Sequence, residues 1–279
     1  MPTAPERGVP SATAVPATGG EPALDDLGPE DGPPVLLFHG HPFDRSMWRP
    51  QAERLAAAGH RALVPDLRGY GQAPSEAHTT PFEEFARDGA ALLDRLGLGS
   101  AVVGGLSMGG QIAMEFHRLF PDRVRGLLLA ATSAPPETPE GRDRRDAAAD
   151  RVLAEGMDAY ARELLSGMLA PATAERDPGL ARYVLEMMRA APPHGAAAGL
   201  RGRARRADPR PSLARAAVPA MVVVGTEDPF TPVEEARAIR ELVPGARREV
   251  LPGTAHLPNL EDPEGFGRAL DSLLETIAP

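Results

Sequence analysis

The sequence predicts an α/β protein with a mostly parallel sheet and one mostly helical insertion. Short continuous apolar runs are typical of strands buried on both faces, and amphipathic segments between them are typical of helices. This alternation predicts a parallel sheet with right-handed crossovers. It breaks over about residues 137–211, where the patterns are helical and many residues are Arg. The insertion therefore separates two parts of one sheet.

The elements follow from these patterns in chain order. Residues 14–31 carry a poor signal for a turn-linked hairpin. The predicted strands are residues 35–38, 61–65, 101–104, 124–130, 221–224 and 247–251. The predicted helices are residues 48–58, a helix from the turn at 107 to about 120, and residues 82–96, 233–242 and 263–276.

The domain boundaries follow from the same pattern. Residues 1–13 are rich in Pro and Ala and are expected to be disordered. Residues 14–134 and 212–279 are expected to form the core, and residues 135–211 a helical cap of a size suited to a lid.

Composition excludes several classes of function. The 279 residues carry a net charge of −9 and contain neither Cys nor Lys. Without Cys there is no disulfide, thiolate zinc site or Cys nucleophile. An acidic chain without basic blocks is poorly suited to nucleic acid, and no apolar run is long enough for a signal peptide or a membrane span. We therefore expect a cytoplasmic protein with a small-molecule substrate; its oligomeric state is not predicted.

The motif Gly105-Leu106-Ser107-Met108-Gly109 has the form G-x-S-x-G and lies between a predicted buried strand and a helix. In this context the small residues permit a sharp turn that exposes the Ser107 hydroxyl at its apex. The sequence therefore predicts Ser107 as a nucleophile, the alternative being a glycine-rich turn with a passive serine.

A serine hydroxyl needs a base, and the base needs an orienting acid. Asp228 follows the predicted strand 221–224, and His256 follows the strand 247–251. Because the ends of parallel strands meet at one edge of the sheet, Ser107, Asp228 and His256 are expected to converge. Glu227 is the nearest competitor for the acid, and helix capping is the alternative role of Asp228.

The segment His39-Gly40-His41-Pro42 directly follows the first clear strand. Backbone N–H groups aimed at a developing oxyanion lower the barrier to acyl transfer. We expect these donors to be the backbone N–H groups of Met108 and His41. The spacing of His39 and His41, without a carboxylate cluster nearby, does not favour a metal pair. The His41 side chain is an open candidate for a polar wall of the pocket.

Three further features have structural interpretations. Asp66 and Arg68, in the segment 66–71, are expected to brace neighbouring loops. The Arg-rich stretch 201–210 is interpreted as a solvated helix face or hinge clamp, with an anion site as the alternative. Four methionines of the insertion suit either lid packing or an adaptable apolar pocket: Met157, Met168, Met187 and Met188.

Taken together, these motifs resemble the α/β-hydrolase superfamily over nearly the whole chain, from about residue 20 to the end. The matching segments are 39–44, 66–71, 105–110, 225–232 and 253–263. The match is closest to capped carboxylesterases, enol-lactonase-like hydrolases and cofactor-free haloperoxidase-like members. The resemblance implies a mostly parallel eight-stranded sheet with a helical cap after the sixth strand. It also implies Ser107 as nucleophile, Asp228 as acid and His256 as base, with Met108 and His41 at the oxyanion positions.

One departure concerns His41, because that position is more often a bulky apolar residue in such relatives. The predicted function is a serine hydrolase that cleaves a small-to-medium ester, lactone or thioester without a metal or organic cofactor. Perhydrolysis with apparent halogenation and carbon–carbon bond hydrolysis use the same triad and are alternatives. A catalytically silent ligand-binding protein is the alternative from another class.

Overall fold

The computed structural model describes residues 23–277, which form one seven-stranded sheet with helices on both faces. The five central strands agree closely with apolar runs of the sequence because those runs are buried on both sides. The seven strands are β1 (Leu24–Leu27), β2 (Pro34–Phe38), β3 (Arg61–Pro65), β4 (Ala101–Leu106), β5 (Val124–Ala130), β6 (Ala220–Gly225) and β7 (Arg247–Leu251).

The helices fall into a group that flanks the sheet and a group between β5 and β6. The flanking helices are α1 (Arg49–Ala57), α2 (Phe82–Arg95), α3 (Met108–Leu119), α10 (Val233–Leu242), α11 (Pro258–Glu261) and α12 (Pro263–Leu274). The helices between β5 and β6 are α4 (Pro139–Glu155), α5 (Met157–Met168), α6 (Pro171–Arg176), α7 (Pro178–Ala190), α8 (Pro193–Ala204) and α9 (Arg210–Leu213). We call α4–α9, residues 139–213, the helical insertion.

The strand order is β1-β3-β2-β4-β5-β6-β7. Only β1 is antiparallel to its neighbour, and the other pairs are parallel. Successive residues of the five central strands alternate between two apolar cores. Leu36 and Phe38 pack with α2 and α3 on one face, whereas Val35 and Leu37 pack with α1 and α12 on the other. This packing fixes the carboxyl ends of the strands along one edge, where the candidate site lies.

The sheet differs from the eight-stranded expectation, since seven strands lie within the described residues. Accordingly, the helical insertion follows the fifth of these strands rather than the sixth. The expected hairpin in residues 14–31 is represented by β1 alone, because residues 14–22 lie outside the described residues. The expected disordered tail, residues 1–13, also lies outside them.

Hydrogen bonds at several separate places join the helical insertion to the rest of the molecule. The Tyr183 hydroxyl of α7 bonds to Ser46, at 3.0 Å from its carbonyl oxygen. The Leu257 N–H donates to the Met168 carbonyl at the end of α5, and the Thr80 N–H donates to a carbonyl of α8. The insertion is thus held against loops that follow three different strands. Within residues 23–277, no helix combines the length and apolar character required to cross a bilayer.

Candidate active site

Ser107 lies at the turn between β4 and α3. Its backbone has φ 57° and ψ −115°, a conformation that a side-chain-bearing residue adopts only where the surroundings enforce it. Three hydrogen bonds do so: the Ser107 N–H donates to the Ala130 carbonyl at 2.9 Å, and the Ser107 carbonyl accepts from the Thr132 hydroxyl at 2.8 Å and from the Gln111 N–H. The turn therefore presents the Ser107 hydroxyl at a fixed position.

Glycine is required where the strand and helix of this turn meet. A Cβ on Gly105 would lie 2.2 Å from the carbonyl carbon and oxygen of Gly109, far inside van der Waals contact. The G-x-S-x-G spacing thus allows α3 to start directly behind Ser107. The N-terminus of this helix favours negative charge near the serine.

His256 joins Ser107 to Asp228. Its Nε2 lies 2.9 Å from the Ser107 Oγ, and its Nδ1 lies 2.8 Å from the Asp228 Oδ2. All three side chains are buried, with at most 5% of each residue exposed. The structure therefore brings together three residues that are distant in sequence, as their positions after β4, β6 and β7 predicted. This arrangement allows His256 to accept the serine proton while Asp228 holds the imidazole.

Asp228 is fixed by four hydrogen bonds. Its Oδ1 accepts from the N–H groups of Phe230 at 2.9 Å and Thr231 at 3.0 Å, and its Oδ2 accepts from the Thr231 hydroxyl and from His256. Burial raises the pKa of Asp228, but the charge of His256 and these hydrogen bonds outweigh burial, so the pKa is lowered overall. Asp228 is therefore a carboxylate at neutral pH. The competing Glu227 is exposed, and its N–H donates to the Thr254 carbonyl.

Phe230 covers His256 on the side of the helical insertion. The two rings meet edge to face with centroids 5.0 Å apart, although Phe230 is 46% exposed. Phe230 also approaches Gly167 of α5, where a Cβ would lie 2.6 Å from its ring. This aromatic residue therefore connects the imidazole to the insertion.

The His41 side chain connects two tyrosines. Its Nδ1 lies 2.8 Å from the Tyr70 hydroxyl, and its Nε2 lies 3.1 Å from the Tyr160 hydroxyl. Tyr160 belongs to α5, so this network joins the loop after β2, the loop after β3 and the insertion. Burial, with smaller contributions from Arg203, Arg145 and His39, holds the pKa of His41 well below its usual range. His41 is thus neutral and fixed.

The remaining predicted residues around these loops have structural partners. His39 does not pair with His41: its Nδ1 lies 2.9 Å from the Gly40 carbonyl, and its Nε2 accepts from the Leu67 N–H at 2.9 Å. Asp66 accepts from the Arg45 N–H and guanidinium, and Arg68 forms ion pairs with Asp88 and Glu84. Among residues 23–277, no group of three or more His, Cys, Asp or Glu side chains is placed to hold a metal ion. The four methionines of the insertion are all buried in the apolar cores.

Met108 is the first residue of α3, so its N–H has no acceptor within the helix. Its side chain is buried, and the Tyr70 hydroxyl lies 3.9 Å from its sulfur. Tyr70 also bonds His41. One phenol hydroxyl therefore contacts both Met108 and His41, the two residues whose N–H groups were expected to stabilise an oxyanion. This contact restrains their relative position.

Comparison with known proteins now identifies the family. A model of the α/β-hydrolase fold family matches residues 33–263. The chain belongs to the α/β-hydrolase family. A thermophilic esterase from Thermogutta terrifontis, solved with malate bound, superimposes with a TM-score of 0.88 at 38% identity, covering 95% of this chain and 97% of the esterase.

Two curated relatives of this α/β-hydrolase match it over most of their length. The 3-oxoadipate enol-lactonase 1 of Acinetobacter baylyi is 26% identical over 90% of this chain and 91% of the lactonase. The pimeloyl-acyl-carrier-protein methyl ester esterase of Chromobacterium violaceum is 32% identical over 88% of this chain and 96% of the esterase. The fold class predicted from the sequence is confirmed.

Two residues beside the triad are not predicted by the sequence motifs. Tyr160 lies in an insertion without any recognisable motif, and only the packing of α5 brings it to His41. Phe230, by contrast, lies two residues after Asp228 in the predicted loop, so a search for aromatic neighbours of the acid would have found it.

The depressed pKa of His41 predicts a pH dependence of stability. An unfolded-chain histidine titrates near pH ~6.5, whereas folded His41 takes up its proton only at lower pH. Between these two values the unfolded state binds more protons, so the free energy of unfolding should fall as the pH is lowered. His41 should contribute up to about 1.4 kcal/mol per pH unit to this decrease in the free energy of unfolding.

Urea unfolding of wild type and His41→Leu between about pH 7.5 and pH 5 tests this linkage. The wild-type protein should lose stability more steeply than His41→Leu as the pH falls. His78→Leu, which removes an exposed histidine, should keep the wild-type slope. Equal slopes for wild type and His41→Leu would contradict the prediction.

Proposed function

We propose that the protein is a serine hydrolase that cleaves a small-to-medium carboxylic ester, lactone or thioester through an acyl-enzyme. The observation that carries this proposal is the relay Ser107–His256–Asp228, with distances of 2.9 Å and 2.8 Å. The similarity to an esterase, a methyl ester esterase and an enol-lactonase supports the same reaction class.

In the first half of the proposed reaction, the Ser107 oxygen attacks the carbonyl carbon while His256 Nε2 takes the hydroxyl proton. Asp228 keeps the Nδ1 proton of His256 in place and stabilises the imidazolium. The N–H groups of Met108 and His41 are the proposed donors to the oxyanion. Collapse of this intermediate transfers the His256 proton to the leaving alcohol and leaves an acyl group on Ser107.

In the second half, His256 takes a proton from water, and the resulting hydroxide attacks the acyl carbon. The proton then returns to the Ser107 oxygen, and the carboxylic acid leaves. One ester and one water thus give one acid and one alcohol, with no cofactor needed. We further propose that the helical insertion acts as a cap over this site and that the protein works in the cytoplasm on a small molecule.

A substrate panel tests this proposal. It should contain p-nitrophenyl esters of increasing acyl length, simple lactones and acyl thioesters, each assayed for acid release. We expect saturable turnover of at least one of these classes. Binding of an intact ester without turnover of any panel member would contradict the proposal and support the silent ligand-binding alternative.

A further inference from the structure

The Arg-rich stretch 201–210 does not form a single solvated face. Four of its arginines have clear partners: Arg201 pairs with Asp150, Arg205 with Asp146, and Arg210 with Asp208, while Arg206 donates to the carbonyls of residues 133–135. Arg203 differs from these four residues in its surroundings.

Arg203 has no protein partner for its charge among residues 23–277. Its Nε is fully enclosed without a hydrogen-bond partner, and no carboxylate oxygen of the described chain lies within ion-pair distance of it. The residue nevertheless retains part of its surface accessible. Burial, followed by repulsion from Arg145, lowers the pKa of Arg203 to about 9. Arg203 therefore stays charged at neutral pH, with its Nε shielded from water.

The surroundings of Arg203 are short of negative charge. Glu137 is the carboxylate that acts on it, but Glu137 is already paired with Arg145 at 2.6 Å. Arg206 lies close enough to add repulsion, and its own hydrogen bonds go to neutral carbonyls. Two neighbouring guanidinium groups thus repel Arg203, and the carboxylate that attracts it is already paired with Arg145. An uncompensated buried charge is costly unless an anion completes the site.

Arg203 lies on a helix that packs beside the candidate active site. Gly199 lies one helical turn before Arg203 on α8, so the two residues share a face. A Cβ on Gly199 would lie 2.2 Å from the Tyr70 hydroxyl, so this face packs against the tyrosine that bonds His41. The charge of Arg203 also acts on both His41 and Tyr160. Arg203 therefore lies close to the tyrosine–histidine network beside the triad.

We propose that Arg203 binds a carboxylate of the substrate, so that the preferred substrates are esters or lactones that carry a second, anionic group. This inference rests on the proposed function and names the substrate class of the same site. A guanidinium is suited to this role because it can donate two parallel hydrogen bonds to one carboxylate.

Two matched pairs of esters test the proposal. In the first pair, monomethyl glutarate carries the charge on the acyl side, and its neutral partner has an isopropyl group in place of the carboxylate. In the second pair, an acetate ester carries the carboxylate at the end of a three-carbon alcohol chain, again with an isopropyl partner. For each pair the ratio of kcat/KM, anionic over neutral, is measured in wild type, Arg203→Met, Arg203→Lys and Arg205→Met.

We expect wild type to prefer the anionic member of at least one pair, and that pair identifies the side of the ester bond that Arg203 serves. Arg203→Met should lower this ratio by about 30-fold, and Arg203→Lys should retain most of it. Arg205→Met removes an exposed arginine paired with Asp146 and should leave the ratio unchanged. A wild-type ratio of one or less in both pairs, or an unchanged ratio in Arg203→Met, would overturn the inference.

Calorimetric binding of glutarate separates this inference from the proposed function. Turnover of neutral esters without anionic preference would leave the hydrolase proposal intact and reject the carboxylate site. If no ester is turned over, binding of glutarate to wild type that weakens about 30-fold in Arg203→Met still supports the site. Absence of glutarate binding to wild type would reject it. The results that would reject the proposal can be obtained with wild type alone, so the test remains decisive even if a variant fails to fold.

Discussion

Ser107→Ala is expected to lower kcat for ester hydrolysis by about six orders of magnitude, to the residual rate that binding and oxyanion donors support. The variant should fold normally, because Ala fits the Ser107 backbone conformation as well as Ser and the fixing hydrogen bonds use backbone atoms of residue 107. The measurement is steady-state hydrolysis of the best ester from the panel, together with thermal unfolding.

Ser166→Ala is the matched control for Ser107→Ala. Ser166 is exposed on α5 and its hydroxyl bonds only a neighbouring carbonyl of the same helix. This control should retain wild-type kcat. A Ser107→Ala protein that keeps more than about a hundredth of wild-type kcat would show that another group is the nucleophile.

Asp228→Asn is expected to lower kcat by about four orders of magnitude. Asn can keep the two backbone hydrogen bonds of Oδ1 from Phe230 and Thr231. Its amide NH₂ then replaces the Oδ2 that faces His256 Nδ1. The imidazole must therefore carry its proton on Nε2, which can no longer accept the proton of Ser107.

Glu227→Gln makes the same chemical change one residue earlier. Because Glu227 is exposed and outside the relay, this variant should keep kcat within about twofold of wild type. A large loss in Glu227→Gln with a small loss in Asp228→Asn would instead assign the orienting role to Glu227.

The sequence predicted the structure best where the sheet topology alone determines where a residue lies. The strands β3 and β5 match the predicted bounds because their apolar runs are buried on both faces of the sheet. The meeting of Ser107, Asp228 and His256 followed from the same sheet, since each residue lies within five residues of the carboxyl end of a parallel strand. In these cases topology alone converts sequence position into spatial position.

The sequence predicted least about the contacts between helices of the helical insertion and the neighbouring loops. The contact of Tyr160 with His41 depends on how α5 lies over the loop after β2. Whether Arg203 has a paired carboxylate depends on which of its neighbouring arginines pair with the nearby carboxylates. Composition alone does not distinguish these arginines. Pairing between side chains of different helices depends on tertiary packing, so no local sequence pattern predicts it.

The central claim is that Ser107, activated by His256, attacks the substrate. Labelling with a fluorophosphonate, followed by peptide mapping, tests it most directly because the probe reacts with an activated serine before any question of substrate arises. We predict one label per chain on the peptide containing Ser107, strongly slowed labelling in His256→Ala and none in Ser107→Ala. Equal labelling of wild type and Ser107→Ala, or a label on another residue, would contradict the claim.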